Sequence, residues 1–127
     1  MTSPVRAIMI GAGQRGTEAY GPYALKYPEK LNFVAVAEPD LGRRARFGVQ
    51  HGIAPEDQYG SWEALFANSP DATAALVCTQ DSDHTAPTLA ALQAGYHVLL
   101  EKPMAQSAAE CINLVRVSEE TGRQLHI

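Results

Sequence analysis

The sequence predicts an α/β domain built on a doubly wound parallel sheet, and three observations carry that prediction. Short apolar runs alternate along the chain with longer segments that have the punctuation of helices. The apolar runs are nearly continuous, which is typical of strands that are covered on both faces, as in parallel sheets. The loops between these segments are short, as they are where helices cross from one parallel strand to the next.

The apolar runs predict six strands in chain order. They are residues 5–10, 31–38, 58–59, 74–79 and 97–101, followed by the opening of a strand in the last residues, "QLHI". The run at 58–59 is the weakest of them. The chain is therefore expected to stop inside the sixth strand.

Capping residues predict where the helices between these strands begin and end. Side chains that accept hydrogen bonds from a first helical turn, a helix-opening proline and helix-ending glycines occur at regular places. The predicted starts are Asp40, Ser61, Pro87 and Ser107, and the predicted stops are Gly52, Gly95 and Gly122. Ser107 and Glu110 also have the spacing of a capping box.

The first crossover segment, "TEAYGPYALKYPEK", does not have the pattern of one regular helix. Pro22 follows Gly21 in its middle, and a proline inside an α-helix costs about 3 kcal/mol or more. The sequence therefore predicts a short helical turn over residues 14–20 and a second piece that starts at Pro22.

Composition excludes several classes of function. The chain has 127 residues, of which 46% are hydrophobic and 19% charged, with a formal net charge of −4, as in a soluble globular domain. The absence of a basic cluster argues against a nucleic-acid partner, and no apolar run approaches the length of a membrane span. Cys78 and Cys111 match no metal or redox spacing, so no metal is expected; two thiols without a secretory signal favour a cytoplasmic location.

The loop after the first strand, within "VRAIMIGAGQRG", is the first candidate site. Gly11, Gly13 and Gly16 have the G-x-G-x-x-G spacing of a dinucleotide-binding loop between a strand and a helix. The first glycine allows a tight turn, the second lets a pyrophosphate approach the backbone, and the third lets helix and strand pack closely. The N–H groups near Gln14 and Arg15 are expected to face the phosphates.

Glu38, at the end of the second strand, predicts which dinucleotide binds. It follows Gly16 by about 20 residues, the separation expected of the acid that holds the adenosine ribose. A 2′-phosphate about 4 Å from this carboxylate would be repelled by about 1 kcal/mol in water and about 4 kcal/mol at an effective dielectric of 20. The sequence therefore predicts NAD over NADP, although Arg43 and Arg44 could reach a phosphate. Asp40 suits a helix cap better than a ribose ligand.

Two further polar segments follow strands, and in a parallel sheet they share an edge with the glycine loop. These segments are "CTQDSDH", residues 78–84, and "EKP", residues 101–103. Ligands of open α/β sheets bind outside the carboxyl ends of the strands. A cofactor and a substrate are therefore expected to meet there.

Together these segments resemble the N-terminal Rossmann domain of the Gfo/Idh/MocA oxidoreductase family. The matching stretches are "IGAGQRG", "VAVAEPD", "VCTQDSDH" and "AGYHVLLEKPMAQS", in the family's order and covering nearly the whole chain. The Glu-Lys-Pro signature is the most distinctive of them. The resemblance implies an NAD(P)-dependent oxidoreductase that acts on a sugar, a cyclitol or a related polyol.

The resemblance also implies roles for individual residues. Lys102 would hydrogen-bond the substrate oxygen and help proton transfer, and Glu101 would hold the cofactor or orient Lys102. The residues implied to line the cofactor are Thr79, Gln80, Asp81, His84, Glu101, Lys102 and Pro103. Gln80 and Asp81 depart from the proline and asparagine that are usual in the family.

The family resemblance implies a second α/β domain, which binds substrate and forms the oligomer interface and which is missing from this chain. Residues 1–127 are then the cofactor domain of a homo-oligomer, and alone they are expected to turn over little or no substrate. Two alternatives remain: a nucleotide-binding sensor module without catalysis, and a methyltransferase, which also has a glycine-rich loop and an acid after the second strand. The family also includes reactions without net redox.

Overall fold

The computed structural model describes residues 3–80 and 83–127, and in them six strands form one parallel sheet in the order β3-β2-β1-β4-β5-β6. The strands are β1 (Val5–Ile10), β2 (Leu31–Ala37), β3 (Gln58–Tyr59), β4 (Ala74–Val77), β5 (His97–Leu100) and β6 (Leu125–His126). Every hydrogen-bonded pair among them runs parallel. The predicted parallel sheet is therefore confirmed.

Helical segments connect these strands and cover both faces of the sheet. They are a π-helix (Arg15–Tyr20), α1 (Gly21–Lys26), α2 (Leu41–His51), a 3₁₀ turn (Pro55–Asp57), α3 (Trp62–Ala67), α4 (Thr85–Gln93) and α5 (Ala108–Thr121). Among the described residues, no helix combines the length and the apolar character that crossing a membrane requires.

One face of the sheet is covered by α3, α4 and α5. Their buried leucines, Leu65, Leu92 and Leu114, pack in one cluster with Ile8 and Ile10 of β1. Burying a leucine or isoleucine side chain stabilises a fold by about 1.5–3 kcal/mol. This cluster holds the second half of the chain against the central strand.

The opposite face is covered by α1 and α2. Phe47 of α2 packs edge-on against Phe33 of β2, with the ring centroids 5.4 Å apart, and Met9 of β1 and Ala24 of α1 belong to the same cluster. Met9 faces this cluster whereas its neighbours in β1 face the other, as the side-chain alternation of a strand requires. The doubly wound arrangement is confirmed.

Three strands end one or two residues earlier than the sequence predicts, at Ala37, Val77 and Leu100. The residue after each strand still donates one hydrogen bond to the neighbouring strand: Glu38 to Tyr59, Cys78 to Ile10, and Glu101 to Val77, at 3.0, 2.8 and 3.0 Å. The chain then leaves the sheet. These residues therefore lie at the carboxyl edge of the sheet rather than inside it.

The predicted caps of α2, α3 and α5 are confirmed. The side chains of Asp40, Ser61 and Ser107 each accept a hydrogen bond from a first-turn N–H group. Gly52 and Gly122 end α2 and α5 with φ of 65° and 68°. These cap interactions are local in sequence, which is why the sequence could predict them.

Two details of helix starts differ from the prediction. α4 begins at Thr85, so Pro87 is its third residue and does not open it. Glu110 donates its N–H to Ser107, but its carboxylate accepts a 2.6 Å hydrogen bond from the Thr85 hydroxyl. The predicted capping box is therefore only half formed, because a neighbouring helix offers the carboxylate a donor.

The first crossover winds continuously and changes its winding at Gly21. The Gly21 N–H bonds to the Gly16 carbonyl, five residues back, which is the π-helical pattern. Pro22 lies in the first turn of α1 and has no N–H to donate to the π-helical turn before it. The predicted break is thus a change of winding without a gap.

Gly16 and Gly13 give a test of the packing beneath the glycine loop. A Cβ on Gly16 would lie 2.4 Å from the Gly11 carbonyl oxygen and 3.0 Å from the Met9 sulfur, whereas a Cβ on Gly13 would have nothing within 4 Å. We expect Gly16→Ala to lower the free energy of unfolding by about 1–3 kcal/mol or more, and Gly13→Ala to change it by about 0.5 kcal/mol or less. Urea unfolding curves measure both; equal losses would contradict this packing.

Candidate functional site

The candidate site lies along the carboxyl edge of the sheet, where the loops after β1, β2 and β4 meet. The last ladder bonds show the convergence: the Gly11 N–H bonds to the Ala37 carbonyl at 2.8 Å, and the Cys78 N–H bonds to the Ile10 carbonyl at 2.8 Å. These bonds join the three loops through β1, the central strand. Ligands of open α/β sheets bind at such an edge.

The glycine loop has the shape that the sequence predicts. Gly11 has a φ of 91°, and a Cβ there would lie 2.8 Å from the Cys78 carbonyl oxygen, so a side chain is excluded both by conformation and by space. Gly13 is partly exposed, and the space beside it is open. The backbone at Gly13 is therefore accessible to a ligand, while Gly11 and Gly16 serve the fold.

Gln14 and Arg15 lie where the π-helix begins. Both side chains are exposed, and they border a separate shallow hollow together with Glu18 and Ala19. The sequence predicts that the N–H groups of Gln14 and Arg15 face the phosphates. Their side chains lie outside the cleft that Gly13 borders.

Glu38 joins the glycine loop to the end of β2. Its carboxylate accepts hydrogen bonds from the Ala12 N–H at 2.9 Å and from the Asp40 N–H at 2.8 Å, one on each oxygen. The residue is 6% exposed. An ionised carboxylate has about four lone-pair sites, so each oxygen can accept a further hydrogen bond from a ligand hydroxyl.

The two arginines after Glu38 have different surroundings. The Arg44 guanidinium donates a 2.9 Å hydrogen bond to the Glu38 carbonyl oxygen. Arg43 lines the cleft beside Asp40, whose carboxylate caps α2. Of these two arginines, Arg43 is therefore the one that borders the space in front of Glu38.

Two adjoining hollows form the cleft, with volumes of about 370 and 360 Å3, within the range of small-molecule sites. Gly11, Pro39, Thr79 and Asp83 border both hollows. The first has a largely apolar wall that includes Trp62. The second is bordered by Gly13 and by the polar residues Glu38, Asp40, Arg43 and Gln80.

The loop after β4 contributes Thr79 and Gln80 to this cleft, and Asp81 lies outside the described residues. Thr79 donates its hydroxyl to the Asp83 carbonyl at 3.0 Å, and the Asp83 N–H bonds to the Gln80 carbonyl at 2.8 Å. These bonds tie Thr79 and Gln80 to Asp83. Thr79 and Gln80 therefore border the cleft, and their contact with a cofactor stays a prediction.

His84 does not reach the cleft surface. Its side chain is fully buried, with Nδ1 2.7 Å from the Pro103 carbonyl oxygen and Nε2 2.9 Å from the Thr79 carbonyl oxygen. The implied role in lining the cofactor stays a prediction. The ring lies between two loops, with one backbone carbonyl oxygen of each within hydrogen-bond distance, and it borders neither hollow. The spacing alone could not show this, because Pro103 is distant in sequence.

Cys78 borders the second hollow but is not poised as a nucleophile. Burial raises the pKa of its thiol to about 12, and the nearby Glu101 carboxylate adds to the effect. A thiol with such a pKa stays protonated at neutral pH.

Glu101 is held by two side chains from the first crossover. Arg15 donates a 3.2 Å hydrogen bond to one carboxylate oxygen, and the Tyr20 hydroxyl donates to the other. The hydrogen bond from Tyr20 lowers the pKa of the Glu101 carboxyl despite partial burial, and Arg15 lowers it further. Glu101 is therefore an ionised carboxylate, and each of its two oxygens accepts a hydrogen bond from a side chain of this protein.

Lys102 and Pro103 are exposed, and neither residue borders the two hollows. Lys102 lies one strand further along the same edge, after β5, which pairs with β4. The structure thus brings together Gly11, Gly13, Glu38, Thr79 and Gln80 in one cleft, and it places Glu101, Lys102 and Pro103 beside it.

Several residues of the site were not predicted. Trp62 follows β3 at the same edge of the sheet, and this position could have indicated that it borders the cleft. Asp83 belongs to the segment of residues 78–84, but the sequence did not predict that it borders the cleft. Tyr20 gave no local signal, because its partner Glu101 lies 81 residues away in sequence. Within residues 3–80 and 83–127, no group of three or more His, Cys, Asp or Glu side chains could hold a metal ion.

Comparison with known proteins gives the family. Residues 5–127 match the model of an oxidoreductase family, described as having an NAD-binding Rossmann fold. The trans-1,2-dihydrobenzene-1,2-diol dehydrogenase of Bos taurus is 43% identical over 89 residues, which are 70% of this chain and 26% of that protein. The chain thus spans about a quarter of the length of that curated relative.

Solved structures agree on the fold. An inositol dehydrogenase homologue from Azotobacter vinelandii, in complex with NADH and myo-inositol, superposes with a TM-score of 0.82 at 31% identity, over 98% of this chain and 35% of that one. A biliverdin reductase from Synechocystis, in complex with biliverdin and NADP+, gives a TM-score of 0.83 at 31% identity, over 98% and 37%.

The matched residues include the glycine loop, Glu38 and the Glu101-Lys102-Pro103 segment, the same stretches that form the cleft and its border. This chain belongs to the Gfo/Idh/MocA oxidoreductase family and corresponds to the NAD-binding Rossmann domain of that family.

Proposed function

We propose that the cleft binds NAD as the cofactor site of a dehydrogenase. The observation that carries the proposal is the glycine loop: Gly13 leaves its backbone open, and a Cβ there would meet nothing within 4 Å. Backbone N–H groups at the start of a helix favour a phosphate in that space. The residues present thus fit a dinucleotide, and the bound cofactor would supply the hydride acceptor or donor.

The two hollows suit the two chemical parts of an adenosine. The first has an apolar wall that includes Ile10, Pro39 and Trp62, which suits an adenine ring. In the second, the ribose hydroxyls would lie beside Glu38, whose carboxylate oxygens keep free lone pairs. Glu38 thereby favours NAD over NADP, while Arg43 is the group that would favour NADP.

Lys102 is proposed to act on the substrate. Its ammonium is exposed at the edge of the sheet, after an ionised Glu101 that is bound by Arg15 and Tyr20. As an ammonium, Lys102 would donate a hydrogen bond to the substrate oxygen and stabilise the negative charge that develops on it. To accept the hydroxyl proton it would first release one of its own protons to solvent. The reaction is then hydride transfer between the cofactor and a hydroxyl-bearing carbon.

The substrate class is proposed to be a sugar, a cyclitol or a related polyol. The relatives that support it are the diol dehydrogenase and the inositol dehydrogenase homologue. The substrate-binding groups are proposed to lie in a second domain, so that residues 1–127 bind the cofactor and turnover requires both domains. Homo-oligomerisation and a cytoplasmic location stay predictions from the sequence.

Cofactor preference tests the role of Glu38. We expect this chain to bind NAD+ at least about tenfold more tightly than NADP+. Glu38→Gln removes the charge and should lower that ratio at least about fivefold. It should also destabilise the fold, because the Gln amide cannot accept from both the Ala12 and the Asp40 N–H groups.

Asp40→Asn is the matched control for Glu38→Gln. It removes a charge at the same cleft but keeps an oxygen that can cap α2. Calorimetric titration of both cofactors into folded samples of each variant measures the ratio. If Asp40→Asn lost the preference while Glu38→Gln kept it, the assignment of the ribose to Glu38 would be wrong.

Replacement of Lys102 tests the proposed chemistry. In a protein that carries this chain with its substrate domain, we expect Lys102→Ala to lower kcat about 100-fold or more, with a change in the Kd for NAD+ of about threefold or less. Lys26→Ala, in α1, is the control, since Lys26 lies over the Tyr27 ring instead of the cleft edge. Equal losses of kcat and NAD+ affinity in Lys102→Ala would mean that Lys102 has a structural role.

A further inference from the structure

The π-helix determines which side chains of the first crossover face β5. Its residues are Arg15–Tyr20, and the Gly21 N–H to Gly16 carbonyl bond marks its winding. In an α-helix, residues five apart differ by about 140° around the axis, so they point in different directions. In a π-helix the hydrogen bonds join residues five apart, and such residues therefore lie about one turn apart on the same side.

Arg15 and Tyr20 are such a pair, and both bind one carboxylate. Arg15 Nη2 lies 3.2 Å from Glu101 Oε1, and the Tyr20 hydroxyl donates to Glu101 Oε2. The Glu101 side chain is 11% exposed, whereas that of Arg15 is 58% exposed. We call Arg15, Tyr20 and Glu101 the Glu101 clamp.

The sequence explains why the winding changes there. In an α-helix the Pro22 ring would clash with the carbonyl of residue 18, four positions earlier. In the π-helical turn before Pro22, the Gly21 N–H donates to the Gly16 carbonyl, five residues back. Gly21 also packs against α2, since a Cβ there would lie 3.1 Å from both the Gly16 carbonyl oxygen and His51 Nε2. The Gly21-Pro22 pair therefore favours the winding that brings Tyr20 to Glu101.

We infer that Tyr20, through the Glu101 clamp, is a positioning residue that fixes the backbone of Lys102 relative to the glycine loop. The inference rests on the proposed role of Lys102. Glu101 directly precedes Lys102, and its N–H is held by the Val77 carbonyl at 3.0 Å. Its carboxylate is held by the helix that begins at the glycine loop. The two loops that would contact cofactor and substrate are thus joined by side chains.

The protonation states support the clamp. The hydrogen bond to Glu101 raises the pKa of Tyr20, with burial adding to it, and the same bond lowers the pKa of Glu101. Tyr20 therefore stays a donor and Glu101 an ionised acceptor over the neutral range. Because the folded-state pKa of Glu101 is lowered, its ionised form stabilises the fold above the ordinary glutamate range, and this stabilisation is lost as pH falls through the lowered value.

Tyr20→Phe tests the clamp, because it removes only the hydroxyl. The 127-residue chain is labelled with 13C, and NMR follows the Glu101 carboxylate through an acid titration and the Lys102 ε-methylene at neutral pH. We expect the midpoint of the Glu101 titration to rise and the Lys102 resonance to move. Tyr23→Phe is the matched control, because Tyr23 is 47% exposed and packs on Tyr27; it should leave both signals unchanged.

Arg15→Gln is a second variant, which removes the other contact of the clamp and should also raise the Glu101 midpoint. Unchanged Glu101 and Lys102 signals in Tyr20→Phe would overturn the inference, as would equal changes in Tyr23→Phe. NAD+ titration of the same samples separates this result from the proposed function. We expect the Kd to change about twofold or less in Tyr20→Phe, since the hydroxyl faces Glu101 and does not border the cleft.

If the wild-type chain bound no NAD+ while Tyr20→Phe still moved the Glu101 and Lys102 signals, the proposed function would fail and the clamp would stand. If NAD+ bound and both signals stayed in place, the clamp would fail and the cofactor site would stand.

Discussion

Parallel pairing of β1 with both β2 and β4 places the whole candidate site at one edge of the sheet. The glycine loop, Glu38 and Thr79 follow three adjacent strands that all end there, and Lys102 follows β5, the next strand. The buried leucine and phenylalanine clusters hold these strands in register. An antiparallel strand at any of these positions would send its loop to the opposite edge.

Side-chain bonds then fix the loops relative to one another. Glu38 holds the Ala12 N–H, so the end of β2 sets the shape of the glycine loop. The His84 ring lies within hydrogen-bond distance of the Thr79 and Pro103 carbonyl oxygens, and the Glu101 clamp joins the first crossover to the segment after β5. Contacts within the protein thus hold several of the groups that would bind a dinucleotide, which lowers the entropy that binding costs.

Much of this could be predicted from the sequence, because the signals are local. The strands were evident as apolar runs, the caps at Asp40, Ser61 and Ser107 as short polar patterns, and the glycine loop from its spacing. What could not be predicted depends on residues that are distant in sequence. The buried His84 ring lies against the Pro103 carbonyl oxygen, and Tyr20 donates from a π-helical segment to Glu101. The family resemblance indicated Lys102 but not the residues that hold its neighbour.

Titration of the 15N-labelled chain with NAD+, followed amide by amide in NMR spectra, tests most directly whether the three converging loops bind this cofactor. We expect saturable shifts that are largest at Gly13, Gln14, Glu38 and Thr79, with smaller ones at Lys102. Shifts confined to another surface, such as the apolar hollow between Tyr23 and Leu99, or no shifts with NAD+ in large excess, would contradict the account.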